Sequence, residues 1–230
     1  MKKLVHGIID FQKNVRPNYR ETFAKLALGQ SPDTLFIACS DSRVVPNLFA
    51  STDPGDLFVI RNVGNLVPPC GEHGHSVADE SEAAAVEFAV NNLGVTDVII
   101  CGHSECGAMQ ALLNGREKVK TPNLQAWLRH GDAALPALKA DKGSKLAAHN
   151  RLSQLNVLLQ VENLKSYPMI RELFDSKKIR IHAWWFELKE AMVHYYDSSL
   201  EKFVEFDEKT AARVLKALDK NPGHLPSICL

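Results

Sequence analysis

TLFIACSDSR, residues 34–43, decides the fold. From Thr34 to Ala38 the run shows no polar alternation, the pattern of a parallel strand covered on both faces. It stops abruptly at Cys39, Ser40, Asp41, Ser42 and Arg43. A second stretch, DVIICGHSECG at residues 97–107, has the same form and ends in Gly102, His103, Ser104, Glu105, Cys106 and Gly107. In parallel sheets ligands bind beyond the carboxyl ends of the strands. The two runs are therefore expected to lie side by side and to share one metal ion at their ends.

Outward from these runs the chain alternates strand and helix signals. Residues 4–28 read as helical: Leu4, Ile8, Phe11 and Val15 repeat at helical spacing, and Pro17 marks a break. Leu57–Ile60 reads as a strand ending in the polar run Arg61, Asn62, Val63, Gly64 and Asn65. A helix follows, with Ser76 and Asp79 as a capping box, Ala83–Val90 as its body and Gly94 as its stop. Further helices are expected from Cys106 to Leu113, over Leu124–Leu138 with interruptions at Gly131 and Pro136, and over Lys145–Leu164. Two more are expected from Pro168 through Phe174 and over Lys209–Leu218, while the tail from Asn221 reads as loose. Ile179–Glu187 is the most β-like stretch, and Val193–Tyr196 pairs with it as a hairpin although Leu188–Met192 is a poor turn. The alternation predicts an α/β fold: a mostly parallel central sheet with helices on both faces, an N-terminal helical arm and a C-terminal antiparallel edge strand. No repeat or linker divides the chain, so residues 1–230 are expected to form one domain.

The bulk numbers narrow the partners. Lys plus Arg and Asp plus Glu are equal at 27 each, so no basic face is implied and nucleic acid is not the expected partner. No apolar run approaches the length of a membrane span. The first three residues mimic a secretion signal, but His6 and Asp10 break the apolar region, and the reading is cytoplasmic. Cys39, Cys70, Cys101, Cys106 and Cys229 are too few and too scattered for a disulfide framework. Metal or catalytic use is expected for some of them and burial for the others, Cys101 among the buried.

Cys39, His103 and Cys106 carry the metal reading. His-x-x-Cys lets both side chains of a tight strand-to-helix turn reach one ion, and Cys39 supplies a third ligand from the neighbouring strand. Two thiolates and one imidazole suit Zn2+ and leave a fourth position for water, the catalytic rather than the structural pattern. Metal binding lowers the pKa of that water to about 7. Asp41 could accept a hydrogen bond from the water or bind the zinc itself, and Arg43 could decide between these by pairing with Asp41. Each piece has a blander reading. A lone Cys at a strand end is commonly a small buried residue, and Cys-x-Asp-x-Arg could be a polar turn with a local salt bridge. Cysteine-dependent phosphatases and sulfurtransferases also use a Cys loop with an Arg, but with a longer interval than the three residues here. Cys70, His73 and His75 could form a second metal site, although an exposed loop is the simpler reading. Trp184, Trp185 and Phe186 read as sheet packing. His130, His149, His194 and His224 show no partner pattern.

Cys39–Arg43, Phe58–Asn65, Glu82–Ala89 and Gly102–Gly107 together resemble the β-class carbonic anhydrases. The likeness is specific from Gln30 to Leu113 and looser through the strand at Ile181–Trp185. It implies reversible hydration of CO2 to bicarbonate and a proton. It also implies one zinc per subunit on Cys39, His103 and Cys106, with Asp41 and Arg43 as a catalytic dyad beside the open position. It implies a homodimer or homotetramer, with residues 1–28 as an arm embracing the partner and active sites near the subunit boundary. Gln30, Phe58, Val63 and Gly107 match the substrate pocket, and Phe88 stands in place of the usual Tyr. In some members the Asp becomes a fourth zinc ligand in a state favoured by bicarbonate, through a pocket of Trp, Arg and Tyr. Arg61 fits that pocket, whereas Phe36 and Phe186 stand at the Trp and Tyr positions, which places this chain with the open subgroup. Two alternatives remain: hydrolysis of CS2 or COS on the same scaffold, and a non-catalytic zinc-stabilised binding module.

Overall fold

The computed structural model describes residues 1–78 and 80–220. Six strands, β1 Thr34–Cys39, β2 Leu57–Asn62, β3 Asp97–His103, β4 Arg180–Glu187, β5 Met192–Asp197 and β6 Lys202–Glu205, form one sheet in the order β2-β1-β3-β4-β5-β6. The first four pair in parallel; β4 with β5 and β5 with β6 pair antiparallel. The expected single antiparallel edge strand is thus two strands. β6 has only four residues and is exposed at both ends, too short to stand out as an alternating run. The poor turn at Leu188–Met192 does form. Ala191 takes a left-handed φ of 50° and its N–H reaches the Leu188 carbonyl, a conformation that alanine does not advertise.

The helices are α1 Lys2–Asp10, α2 Arg16–Leu26, α3 Pro46–Phe49, α4 Glu80–Glu87, α5 Gly107–Leu113, α6 Pro122–Leu128, α7 Ala134–Ala140, α8 Ala148–Lys165, α9 Pro168–Asp175 and α10 Glu208–Lys220. Pro17 does not separate two pieces. A π-turn over Phe11–Val15 joins α1 to α2, and Pro17 falls in the first turn of α2, where a missing N–H costs nothing. Pro136 is tolerated in the first turn of α7 for the same reason. α4 is described from Glu80, and Ser76 Oγ accepts the N–H of Ala78 at 3.3 Å; the expected capping box needs Asp79. Asp79 and the tail from Asn221 lie outside the described residues.

β1 is buried from Leu35 to Cys39, and its alternation divides the core. Leu35 and Ile37 join Val98, Ile100 and Ile181 on the face covered by α4, α8 and α9 through Val86, Val157, Val161 and Ile170. Phe36 and Ala38 join Ile99, Cys101 and Phe186 on the other face, closed by Val44 and by Phe49 of α3. A third cluster at the strand ends gathers Cys39, Leu66, Cys106, Met109, Leu112, Leu128 and Leu152. The arm stands apart: α1 buries no residue, and Leu4, Val5, Ile8 and Phe11 are exposed. Tyr19, whose hydroxyl donates to Asp53 at 3.3 Å, and Leu26, packed against Gly55, tie α2 to the body.

Candidate metal centre

β1 and β3 run out in register, Ala38 opposite Cys101, and so deliver Cys39 and His103 to one place. Glu105, at a φ of 55°, turns the chain sharply so that Cys106 stands at the N-terminus of α5. The donor atoms of Cys39, His103 and Cys106, all buried, lie within 4.8 Å of one another. His103 Nδ1 is 2.8 Å from the Ser104 carbonyl oxygen, which can only accept, so Nδ1 carries the proton and Nε2 presents its lone pair. That Nε2 is fully buried and has no hydrogen-bond partner. The two neighbouring sulfurs oppose each other: the Cys39 thiol is pulled down, chiefly by Cys106 and further by His103 and the Gly64 N–H, against the opposing effect of burial, while Cys106 is pushed up by Cys39 and by burial. Two buried sulfurs beside an orphaned imidazole nitrogen are donors that a divalent cation would satisfy. The thiolate–imidazole donor set fits zinc.

Asp41 stands next to these ligands, its Oδ2 4.0 Å from His103 Nε2. Arg43 holds both carboxylate oxygens: Nε donates to Oδ1 at 2.9 Å and Nη2 to Oδ2 at 2.7 Å, and the Arg43 backbone N–H adds a third bond at 3.0 Å. These bonds keep the carboxyl well below the usual carboxylate range. Arg43 Nη2 also donates to the Glu105 carbonyl at 3.1 Å, joining the two metal loops.

Behind the centre runs a row of polar side chains on α8 that the leucine periodicity of this helix concealed. Asn150 Oδ1 accepts the Glu105 N–H at 2.7 Å, and its Nδ2 donates to Glu105 Oε1 at 3.0 Å, where His149 Nε2 also lies at 3.1 Å. Ser153 Oγ donates to the His103 carbonyl at 2.8 Å. Asn156 Nδ2 donates to the Gly64 carbonyl at 3.1 Å, and the Gly64 N–H in turn reaches Cys39 Sγ at 3.4 Å. Gln160 and Asn163 hold the N–H and carbonyl of Val67. Ser153, Asn156 and Gln160 are buried. Five polar residues at intervals of three or four, on the face that packs against the sheet, were the available signal.

The other expected site residues divide. Val63 and Gly107 line a cavity of about 240 Å3 that opens on Cys39 and Asp41, walled by Ala108, Ala111, Leu124 and Leu128. Trp127 Nε1 donates to the Val63 carbonyl at 2.7 Å and fixes one wall, a contact with no sequence signal. Phe58, Phe88 and Gln30 do not line this cavity. Phe58 and Phe88 pair with ring centroids 5.9 Å apart, and Gln30 borders a separate depression with Phe23 and Pro54. Arg61 donates to the carbonyls of Cys39 at 2.9 and 2.7 Å and of Asp41 at 2.7 Å. Phe36 and Phe186 lie in one apolar cluster, with Phe49 stacked on Phe186 at 4.6 Å. Cys101 is fully buried and its thiol is pushed up by that burial. Cys70 bridges to Ser76 across the short turn at Glu72–Gly74. Among the described residues only Cys39, His103 and Cys106 form a group of three donors this close.

A buried Cys–His–Cys group with a held carboxylate, at neighbouring strand ends of a parallel sheet, is a donor set that could hold a metal ion, as the centre of a metalloenzyme does. The family model for carbonic anhydrases matches residues 34–193. A carbonic anhydrase of Pseudomonas aeruginosa is 36% identical over 224 residues, covering 97% of this chain and 98% of that protein. One of Synechococcus elongatus is 40% identical over 197 residues, covering 84% and 70%. The structure of the β-carbonic anhydrase CcaA matches with a TM-score of 0.83 at 36% identity, over 91% of this chain and 93% of that one. One of two tetrameric β-carbonic anhydrases from Sordaria macrospora matches with a TM-score of 0.66 at 29% identity, over 84% and 92%. The chain belongs to the β-carbonic anhydrase family.

Proposed function

We propose that this chain catalyses the reversible hydration of CO2 to bicarbonate and a proton, with one zinc ion per subunit held by Cys39, His103 and Cys106. The observation that carries the reading is the buried, unpartnered His103 Nε2 within reach of two sulfurs, beside a carboxylate that Arg43 holds by both oxygens. The ion, when bound, supplies Lewis acidity that makes water acidic enough to yield hydroxide near neutral pH. The chain's own residues do the rest. Asp41, kept ionised by Arg43, accepts a hydrogen bond from the attacking oxygen and orients its lone pair. Val63, Ala108, Ala111, Leu124 and Leu128 offer a small uncharged molecule an apolar wall and keep bulk water away. Gly107 brings no side chain into that space.

The open, weakly bicarbonate-sensitive subgroup is supported by the Arg43–Asp41 pairing, by Arg61 being occupied with two backbone carbonyls, and by the aromatic packing at Phe36 and Phe186. A homodimer or homotetramer is supported by the exposed apolar face of α1. It is supported too by Phe88, which is 42% exposed and pairs with Phe58 away from its own chain's cavity. In this reading residues 1–28 clasp a second copy, and Gln30, Phe58 and Phe88 complete that copy's pocket within a single domain spanning residues 1–230. Metal analysis and stopped-flow CO2 hydration of wild type and Cys39→Ser test the proposal. The variant should lose both stoichiometric zinc and activity, and full activity without Cys39 would overturn it. Sulfide release from CS2 in the same preparations separates the rival substrate.

A further inference from the structure

Glu105 is the most constrained residue of the metal loops. It sits between two ligands at a left-handed φ of 55°, a region that a non-glycine residue occupies only when its surroundings hold it there. Its N–H goes to Asn150 Oδ1 at 2.7 Å, its carboxylate takes Asn150 Nδ2 at 3.0 Å, and its carbonyl receives Arg43 Nη2 at 3.1 Å. The same Nη2 holds Asp41 Oδ2 at 2.7 Å. One side-chain amide in the first turn of α8 therefore stands at the head of a relay through Glu105 and Arg43 to the carboxylate beside the ligands.

We propose that Asn150 is a positioning residue that keeps the fourth coordination position open: by fixing the Glu105 backbone it anchors Arg43, and Arg43 so anchored keeps Asp41 turned away from the metal. The inference rests on the metal reading above and concerns the state of Asp41 within it. The anchoring element is the N–H bond to Asn150 rather than the contacts of the Glu105 carboxylate. His149, which meets only that carboxylate at 3.1 Å, contributes little. Asn150→Asp keeps an isosteric acceptor for the Glu105 N–H but would set a second carboxylate against Glu105 Oε1, so it is combined with Glu105→Gln, whose amide supplies the donor that Asn150 loses. The double variant should therefore preserve the relay that Asn150→Ala breaks.

The test uses the full chain reconstituted with Co2+, whose visible spectrum reports thiocyanate entering an open position. Wild type, His149→Ala and the double variant Asn150→Asp/Glu105→Gln should bind cobalt stoichiometrically and titrate with thiocyanate with affinities within about threefold of one another. Asn150→Ala should retain cobalt while its thiocyanate affinity falls at least about tenfold, because Asp41 now competes for the position. A merely structural role for Asn150 would lower the melting temperature without this spectral change. Unchanged thiocyanate affinity in cobalt-loaded Asn150→Ala overturns the inference alone, and so does a loss in Asn150→Asp/Glu105→Gln as large as in Asn150→Ala. Should Asn150→Ala fail to fold, Asn150→Ser, whose hydroxyl is too short to span the bond that the amide makes to the Glu105 N–H, takes its place with the same two outcomes. A wild-type chain that takes up no cobalt overturns the metal reading and this inference with it.

Discussion

A methyl group added at Gly102 should separate α8 from the sheet at the metal centre. A Cβ there would stand 2.7 Å from Val157 Cγ2, 3.1 Å from Ser153 Oγ and 3.3 Å from the Ser153 carbonyl oxygen. None of the three can yield cheaply. Val157 is β-branched and fully buried, so its χ1 has no alternative well to enter. Ser153 Oγ is committed to the His103 carbonyl, and the Ser153 carbonyl belongs to the helix itself. Overpacking of this kind costs about 2 kcal/mol, which lowers the melting temperature by about 4–8 °C in a chain of this length. The assay is differential scanning calorimetry of Gly102→Ala, Val157→Ala and the double variant, each with and without zinc. Removing the opposing methyl in the double variant should recover at least about 1 kcal/mol relative to the sum of the single changes. The metal-induced stabilisation should be smaller in Gly102→Ala than in wild type, because the His103 carbonyl moves with Ser153. A variant melting within about 1 °C of wild type, or strictly additive losses, would refute the close approach on which the reasoning depends.

Three further outcomes can be checked. At the opposite end of the sheet Asp97 accepts from Arg180 Nε at 2.7 Å and pairs with His182 Nε2 at 2.8 Å. Burial works against its ionisation, yet His182 and Arg180 together hold the carboxyl below the usual range. Its contribution is complete above the unfolded value of about 3.9 and is lost as pH falls toward the depressed folded value. Asp97→Asn should therefore cost about 2 kcal/mol in urea unfolding at pH 7, with the gap to wild type closing below about pH 4; a constant gap would count against the ion pair. Trp127→Phe keeps the ring but removes the donor to Val63, so it should cost about 1 kcal/mol and raise KM for CO2 while leaving kcat near wild type. A fall in kcat alone would mean that Val63 is not a substrate wall. Arg43→Leu should retain zinc while its hydration activity drops by at least about tenfold, as measured by stopped flow; wild-type activity would remove the dyad from the mechanism.

The strand ends were legible because Thr34–Ala38 and Asp97–Cys101 are apolar without interruption and then change character within one residue. The candidate ligands Cys39, His103 and Cys106 were legible through their joint placement, since a lone Cys at a strand end is commonly just a small buried residue, whereas three donors at two neighbouring strand ends are not. β6 was not, because two exposed residues out of four leave no alternation to detect. The row from Asn150 to Asn163 was hidden by the leucines around it: hydrophobic periodicity records which face is buried, not what a buried amide is bonded to. Gln30, Phe58 and Phe88 show a different limit. They were placed in the pocket by resemblance, and the fold of one chain sets them elsewhere, so the pocket role expected of them rests on the proposed second copy.

The row on α8 also restricts how this helix can vary in length. Asn150 and Ser153 grip the backbone of Glu105 and His103, Asn156, Gln160 and Asn163 grip that of Gly64 and Val67, and a residue inserted or deleted among them would rotate every later side chain by about 100°. Such a change would break several grips at once and leave buried amides without partners. Insertions should therefore be tolerated before Ala148 or after Lys165 and excluded between Asn150 and Asn163, so that the spacing of this stretch serves as a ruler for the distances between the loops it holds.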